Sequence, residues 1–242
     1  MRYGIFADVH SNLEAIDAVI QSYKNESIDQ YICVGDVVGY GANPCECIER
    51  IKSLPAITVA GNHDWATVNL YSLGNLRFEA KEAIHWTRTQ ITQSERDFLE
   101  SLKLIYKNPD LTLAHGTLDN PKDFNYMNNG YIAWESLRIL ETKIGFVGHS
   151  HVPGIFTKGP GDKVGYRQDD SLDLSDRESY IVNVGSVGQP RDGNSKAAYC
   201  IYDTEEKKVS IKRVSYDIDK TRQKIIETGL PRSLGDRLLL GM

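Results

Sequence analysis

Arg2-Tyr-Gly-Ile-Phe-Ala7 runs directly into Asp8-Val-His10, and this junction of a short apolar run with a carboxylate and an imidazole sets the reading of the whole chain. Five further runs end in the same manner. Tyr31–Val34 leads into Gly35-Asp36, Ala56–Ala60 into Gly61-Asn62-His63-Asp64, and Leu111–Ala114 into His115-Gly116. Ile144–Val147 leads into Gly148-His149-Ser150-His151, and Tyr180–Val184 into Gly185-Ser186 with Arg191 shortly after. Apolar runs of about four to eight residues, rich in β-branched side chains and stopped by glycine, are predicted to be buried strands. Ligands of open α/β sheets sit beyond the carboxyl ends of the strands. Five of the six histidines fall at these ends, which predicts one metal centre.

Between the strands the first half carries helix signals. Ser11-Asn-Leu-Glu14 is expected to be a capping box, opening a helix whose Leu13, Ile16, Ile20 and Tyr23 share a face. Asn43-Pro44 opens another with proline at its first position. Helices are also expected over roughly residues 76–91, from Thr92-Gln-Ser-Glu95 to Leu102, and over 130–141. After His151 the pattern changes. Ile155–Lys158 and Lys163–Arg167 flank Gly159-Pro-Gly-Asp162 as a hairpin, and Ala197–Asp203 pairs with Lys208–Val214 as another. A last helix is expected near 220–228, stopped by Gly229. Strand–helix alternation followed by hairpins predicts a single α/β domain over residues 1–242, built on mixed sheets. The acidic segment 169–178 is expected to be a solvated connection.

Composition narrows the function. A net charge of −5 offers no broad basic field for long nucleic acid or acidic membrane. No run reaches membrane-spanning length and the amino terminus lacks a signal-peptide core, so a cytoplasmic location is expected. Four cysteines without Cys-x-x-Cys spacing read as reduced thiols.

Asp8, His10, Asp36, Asn62, His115, His149 and His151 are the candidate ligands. Carboxylate, imidazole and amide oxygen without thiolate suit Mn²⁺, Fe²⁺/Fe³⁺ or Zn²⁺ in a reactive rather than a structural site. Seven ligands exceed the needs of one ion, so two metals are expected, with an aspartate between them. Such a pair would acidify a bridging water for in-line attack and stabilise a phosphoryl transition state.

These motifs, in this order, resemble the calcineurin-like metallophosphoesterases. The resemblance implies a four-layer α/β/β/α sandwich with a dinuclear site at the rim. It implies Asp8, His10 and His151 on one metal, Asn62, His115 and His149 on the other, and Asp36 bridging. It also implies that His63 is no ligand but protonates the leaving oxygen. Protein serine/threonine phosphatases of this superfamily continue Gly-Asp-x-x-Asp-Arg-Gly, whereas this chain has Gly35-Asp36-Val-Val-Gly39-Tyr40-Gly41. The acid that orients the catalytic histidine is therefore missing, and Asp64 is one candidate to replace it. Gly-Asp-x-Val-Gly-Tyr-Gly with Asn-Pro, and Gly185-Ser-Val-Gly-Gln-Pro-Arg-Asp192, are similar to small prokaryotic phosphodiesterases and diadenosine tetraphosphatase-like relatives.

The expected activity is hydrolysis of small phosphodiesters or nucleotide phosphoanhydrides. Tyr40 and Arg191 are candidate substrate contacts, an arginine suiting bidentate phosphate recognition. Asn12 is expected either to cap its helix or to meet ligand or phosphate there. The competing readings are a nuclease, a phosphomonoesterase, or a scaffold of the same fold that has lost catalysis. His85, inside a helical pattern, is not expected to take part.

Overall fold

The computed structural model describes residues 1–161 and 163–242. In chain order it contains β1 (Arg2–Phe6), α1 (Leu13–Tyr23), β2 (Gln30–Cys33), α2 (Pro44–Ser53), β3 (Ile57–Thr58) and α3 (Asn62–Thr67). Then come α4 (Phe78–Gln90), α5 (Gln93–Ser101), β4 (Ile105–Lys107), β5 (Thr112–Ala114), α6 (Gly130–Ile139) and β6 (Ile144–Val147). The remainder holds β7 (Gly154–Lys158), β8 (Val164–Arg167), β9 (Ser171–Asp173), β10 (Ser179–Asn183), β11 (Ala197–Asp203) and β12 (Lys208–Val214). Two helices close the chain, α7 (Ile218–Glu227) and α8 (Arg232–Asp236).

Two six-stranded sheets result, ordered β3-β2-β1-β11-β12-β9 and β4-β5-β6-β10-β7-β8. Each is mixed. β1, β2 and β3 run parallel in the first, and β5, β6 and β10 in the second, while hairpin strands flank them antiparallel. Because successive strand residues point to opposite faces, each strand feeds two cores. Tyr3 and Ile5 of β1 meet Ile144 and Phe146 of β6 and Tyr180 and Val182 of β10 between the sheets. Phe6 points the other way and packs on Ile16, Val19 and Tyr23 of α1. Val147 and Ile181 do the same on the far side, against Ala133 and Leu137 of α6. The order is therefore helix, sheet, sheet, helix, as the resemblance implies.

The helix expected from Ser11 starts one residue later. His10 and Ser11 both have left-handed φ, +48° and +54°, so the cap passes to Asn12. Its Oδ1 accepts from Ala15 N at 3.1 Å. The Ser11 hydroxyl has no hydrogen-bond partner. The Thr92–Glu95 capping box does form, with Thr92 N donating to Glu95 at 2.6 Å. The hairpins form as expected, although Asp162 in the first turn lies outside the described residues. The acidic segment 169–178 is more than a connection: Ser171–Asp173 form the edge strand β9 on β12. Among the described residues no helix is long and apolar enough to cross a membrane.

Candidate active site

The parallel strands of both sheets end at one rim, and the loops beyond them interlock. Asp8 N donates to Gly35 O, His10 N to Asp36 O, Gly148 N to His115 O and Gly188 N to Asp8 O, all at 2.8–3.0 Å. Holding five polar side chains at one point bends the backbone hard. Asp8, His10, Asp36, His149 and His151 all have φ between +48° and +68°. A non-glycine residue held there costs of order 1–3 kcal/mol, and such strain concentrates at functional sites.

Two groups of side chains form, each drawing on both sheets. Asp8 and His10 from the β1 loop meet His151 from the β6 loop, and Asp36 from the β2 loop meets His115 and His149. Within each group the ligand atoms lie within 4.8 Å of one another, and every member is buried. Asp36 Oδ2 sits between the groups, 3.2 Å from His115 Nε2 and 3.6 Å from His10 Nε2. Asn62, at the start of α3, lines the same cleft. A third grouping puts His63 with His10 and Asp36, so distance alone does not separate His63 from the ligands.

The histidine tautomers show what the pockets suit. Nδ1 of His10, His115 and His151 faces the carbonyls of Val38, Val34 and Gln189 at 3.1, 2.7 and 2.6 Å. A carbonyl only accepts, so each Nδ1 carries a proton, and the neutral form of each ring leaves Nε2 free to bind a metal. His10 Nε2 and His151 Nε2 then face one another at 3.1 Å. Two lone pairs at that separation repel unless they share a cation. Among the described residues Asn62 Oδ1 is buried without a hydrogen-bond partner, which is costly for a polar atom and natural for a metal ligand.

Burial and neighbouring charge set the protonation of these rings. Burial holds His10 and His149 well below the usual imidazole range, in the neutral form that binds metal. At His115 burial also opposes charge, but Asp36 and Asp8 overcome it and hold its pKa up to about 10. Asp36 is itself held well below the carboxylate range against its burial, first by His115 and then by His63. Buried carboxylates of this kind call for positive charge beside them. The donor set and its orientation fit two metal ions.

His63 is 3% exposed and its backbone N donates to Asp36 Oδ1 at 2.8 Å. Burial lowers its pKa to about 4. Its ring packs against those of His10 and Tyr40, with centroids 4.7 and 4.4 Å away. Asp64 does not orient it. The Asp64 carboxylate accepts from Val37 N, Val38 N and Gly61 N at 2.8, 3.2 and 3.0 Å, tying the Asp36 loop to α3. His63 Nδ1 has no hydrogen-bond partner, and a Cβ on Gly39 would stand 2.3 Å from it. Gly39 occupies the place where the protein phosphatases carry their aspartate, so ring packing positions His63 here.

Gly61 is required for space. A Cβ there would lie 2.0 Å from Asp36 Oδ1 and 2.3 Å from Asp36 N. Gly61→Ala is expected to displace Asp36, lowering stability by about 1–3 kcal/mol as overpacking does and weakening metal binding. Thermal melting with and without added Mn²⁺ measures both, and a variant matching the wild type in each would refute the packing argument.

The remaining candidates divide. Asn12 takes the capping role: besides capping α1, its Nδ2 donates to Gly188 O at 2.9 Å and its Oδ1 accepts from Thr221 at 3.1 Å. Tyr40 and Arg191 do line the cleft, a cavity of about 350 Å³ above the ligand groups. Arg191 donates to Gln189 Oε1 at 2.8 Å and lies over the Tyr40 ring. His85 is exposed on α4. Three residues with no sequence signal also reach this cleft: Arg77, Arg237, and Tyr126, whose ring stacks on His149 at 4.0 Å.

The pattern of the calcineurin-like phosphoesterase superfamily domain matches residues 1–207. The chain belongs to this superfamily. An uncharacterized protein of Methanocaldococcus jannaschii is 39% identical over 241 residues, which span 98% of this chain and 97% of that one. The crystal structure of a metallophosphoesterase from Sphaerobacter thermophilus superposes with a TM-score of 0.86 at 37% identity, covering both chains fully. A hypothetical protein from Pyrococcus horikoshii shares the fold, with a TM-score of 0.81 at 20% identity over 100% of this chain and 98% of its own. Superfamily membership and the two ligand groups together make metal-dependent phosphoesterase chemistry the coarse reading of the site.

Proposed function

We propose that the protein hydrolyses small phosphodiesters or nucleotide phosphoanhydrides at a dinuclear centre. The observation that carries this is the convergence of proton-fixed imidazoles and buried carboxylates from both sheets beneath an arginine-lined cleft. Asp8, His10 and His151 would hold one ion, Asn62, His115 and His149 the other, and Asp36 both. When bound, the ions supply an acidified water as nucleophile and positive charge against the phosphoryl oxygens. The nitrogen and oxygen donors, without thiolate, favour Mn²⁺, iron or Zn²⁺.

The protein's own groups do the rest. His63 borders the cleft and is neutral before substrate arrives, because burial outweighs the pull of Asp36. A phosphate seated beside it adds negative charge, which raises its pKa and readies it to protonate the leaving oxygen. Missing the aspartate-arginine pair after Asp36, the cleft has no protein-phosphatase grip. The net charge of −5 gives no path for a long polynucleotide.

A substrate screen with Mn²⁺, Fe²⁺ and Zn²⁺ tests this reading. Bis(p-nitrophenyl) phosphate, p-nitrophenyl phosphate, diadenosine tetraphosphate, a phosphopeptide and duplex DNA separate the alternatives. The diester or the anhydride is expected to lead. Preference for phosphopeptide or DNA would overturn it, and inactivity with all five would leave only the scaffold. On the anhydride, Arg191→Ala is expected to raise KM mainly, with less effect on the nitrophenyl diester. Equal kinetics on the anhydride would remove Arg191 from substrate binding.

A further inference from the structure

The superfamily match stops at residue 207, yet Arg237, from beyond it, lines the cleft. Ile225 of α7, Leu230, Leu234 of α8 and Leu238 pack on Ala83 of α4, with Tyr40 at the margin of this cluster. The packing sets Arg237 beside Arg191, and both guanidinium groups donate to Gln189 Oε1, at 3.4 and 2.8 Å. Arg77, immediately before α4, lines the same cleft.

These three cations lack the partners that the neighbouring ones have. Among the described residues none forms an ion pair, whereas Arg222 and Arg232, in the same carboxy-terminal segment, both pair with Asp236. Among the described residues Arg191 Nε is buried with no hydrogen-bond partner. Burial, then the charge of Arg191, lowers the Arg237 pKa, and Glu79 opposes this without reaching ion-pair distance. Like charges held together around one neutral amide destabilise the free protein, and an arriving anion relieves them. One phosphate over two metal ions has little use for three more cations, so the wall suits a further anionic group.

We propose that Arg77, Arg191 and Arg237 form a second anion subsite for a phosphoryl group adjoining the one at the metal centre. The preferred substrate is then a phosphoanhydride with at least two linked phosphates, and the segment after residue 207 is the specificity element. The location of the first phosphoryl group rests on the reading given under Proposed function. Planar guanidinium forks suit this task because they bind phosphate oxygens in pairs.

Calorimetric binding to the Mn²⁺-loaded protein tests the subsite with two probes, adenosine 5′-monophosphate and α,β-methylene adenosine 5′-diphosphate, each recovered and checked to be intact after the titration. The second probe is expected to bind at least about tenfold more tightly than the first, the size of one charge-assisted hydrogen bond. Arg237→Ala and Arg77→Ala should each shrink that ratio, and the double variant, which keeps only Arg191, should shrink it further than either. Arg237→Lys, which keeps the charge and loses the fork, should fall between. Arg232→Ala removes an equal charge from the same segment away from the cleft and should leave the ratio as it is. Equal affinity of the wild type for both probes, or a ratio unmoved in the double variant, overturns the subsite. Tight, arginine-dependent binding of the diphosphate by a protein that hydrolyses none of the screened esters would instead remove the reaction and leave the subsite standing.

Discussion

Asp36→Asn is expected to strip both metal ions from the protein and abolish turnover. Asp36 Oδ2 is the oxygen that faces both groups, 3.2 Å from His115 Nε2 and 3.6 Å from His10 Nε2. An amide there carries no charge and offers one oxygen where a carboxylate offers two. A lost supporting partner of a ligand costs about 10–100-fold in metal affinity, so losing a shared ligand should cost more, at both positions. The backbone need not move, since the retained Oδ1 can still accept from His63 N. His151→Ala is the comparison: it empties only the group containing Asp8 and His10, and should lose at most one ion. Elemental analysis and melting curves of the two variants separate metal loss from unfolding. A fully loaded and active Asp36→Asn protein would remove Asp36 from between the ions.

His63→Ala carries the next largest effect, and in the opposite manner: metal is kept and rate is lost. A general acid contributes about 10²–10⁴ in rate, and the loss should fall on substrates whose leaving group needs a proton. With p-nitrophenolate as leaving group it should shrink by an order of magnitude or more (~10-fold), because that anion departs unaided. The experiment matters because His63 also falls within ligand distance of His10 and Asp36. Equal losses for good and poor leaving groups, with metal gone, would make His63 a ligand rather than an acid.

The strands that position the site were legible because each is a short apolar run, most of them stopped by glycine, and β6 falls where that pattern put it, as β11 and β12 fall where the hairpin pattern put them. Edge strand β9 was not. Its three residues alternate exposed and half-buried and owe their extended form to pairing with β12. α3 has six residues and no helical period to detect; Asp64, bonded to backbone across two loops, holds its start. The one-residue slip at Ser11 has a similar origin. The Ser-x-x-Glu spacing is a local signal, and the left-handed turn through His10 and Ser11 is imposed from outside by the pairing of the rim loops.

The candidate ligands were legible for a related reason: each lies in sequence close to a strand end, so a local pattern reports its position. Arg237, Arg77 and Tyr126 have no such neighbour. Arg237 reaches the cleft only because four apolar side chains beyond residue 220 pack on α4 and the Tyr40 loop. Tyr126 lies in an irregular stretch and finds His149 by stacking. Asp64 was a candidate to orient His63 only as its neighbour in sequence, and its carboxylate turns back to the Asp36 loop.

The measurement that bears most directly on the central claim is the metal content of the wild-type protein after chelator stripping and reconstitution with Mn²⁺, read alongside hydrolysis of bis(p-nitrophenyl) phosphate. The two ligand groups predict close to two ions per chain, with hydrolysis appearing as the ions are restored. One ion per chain at full activity, or hydrolysis by the stripped protein, would contradict a dinuclear centre.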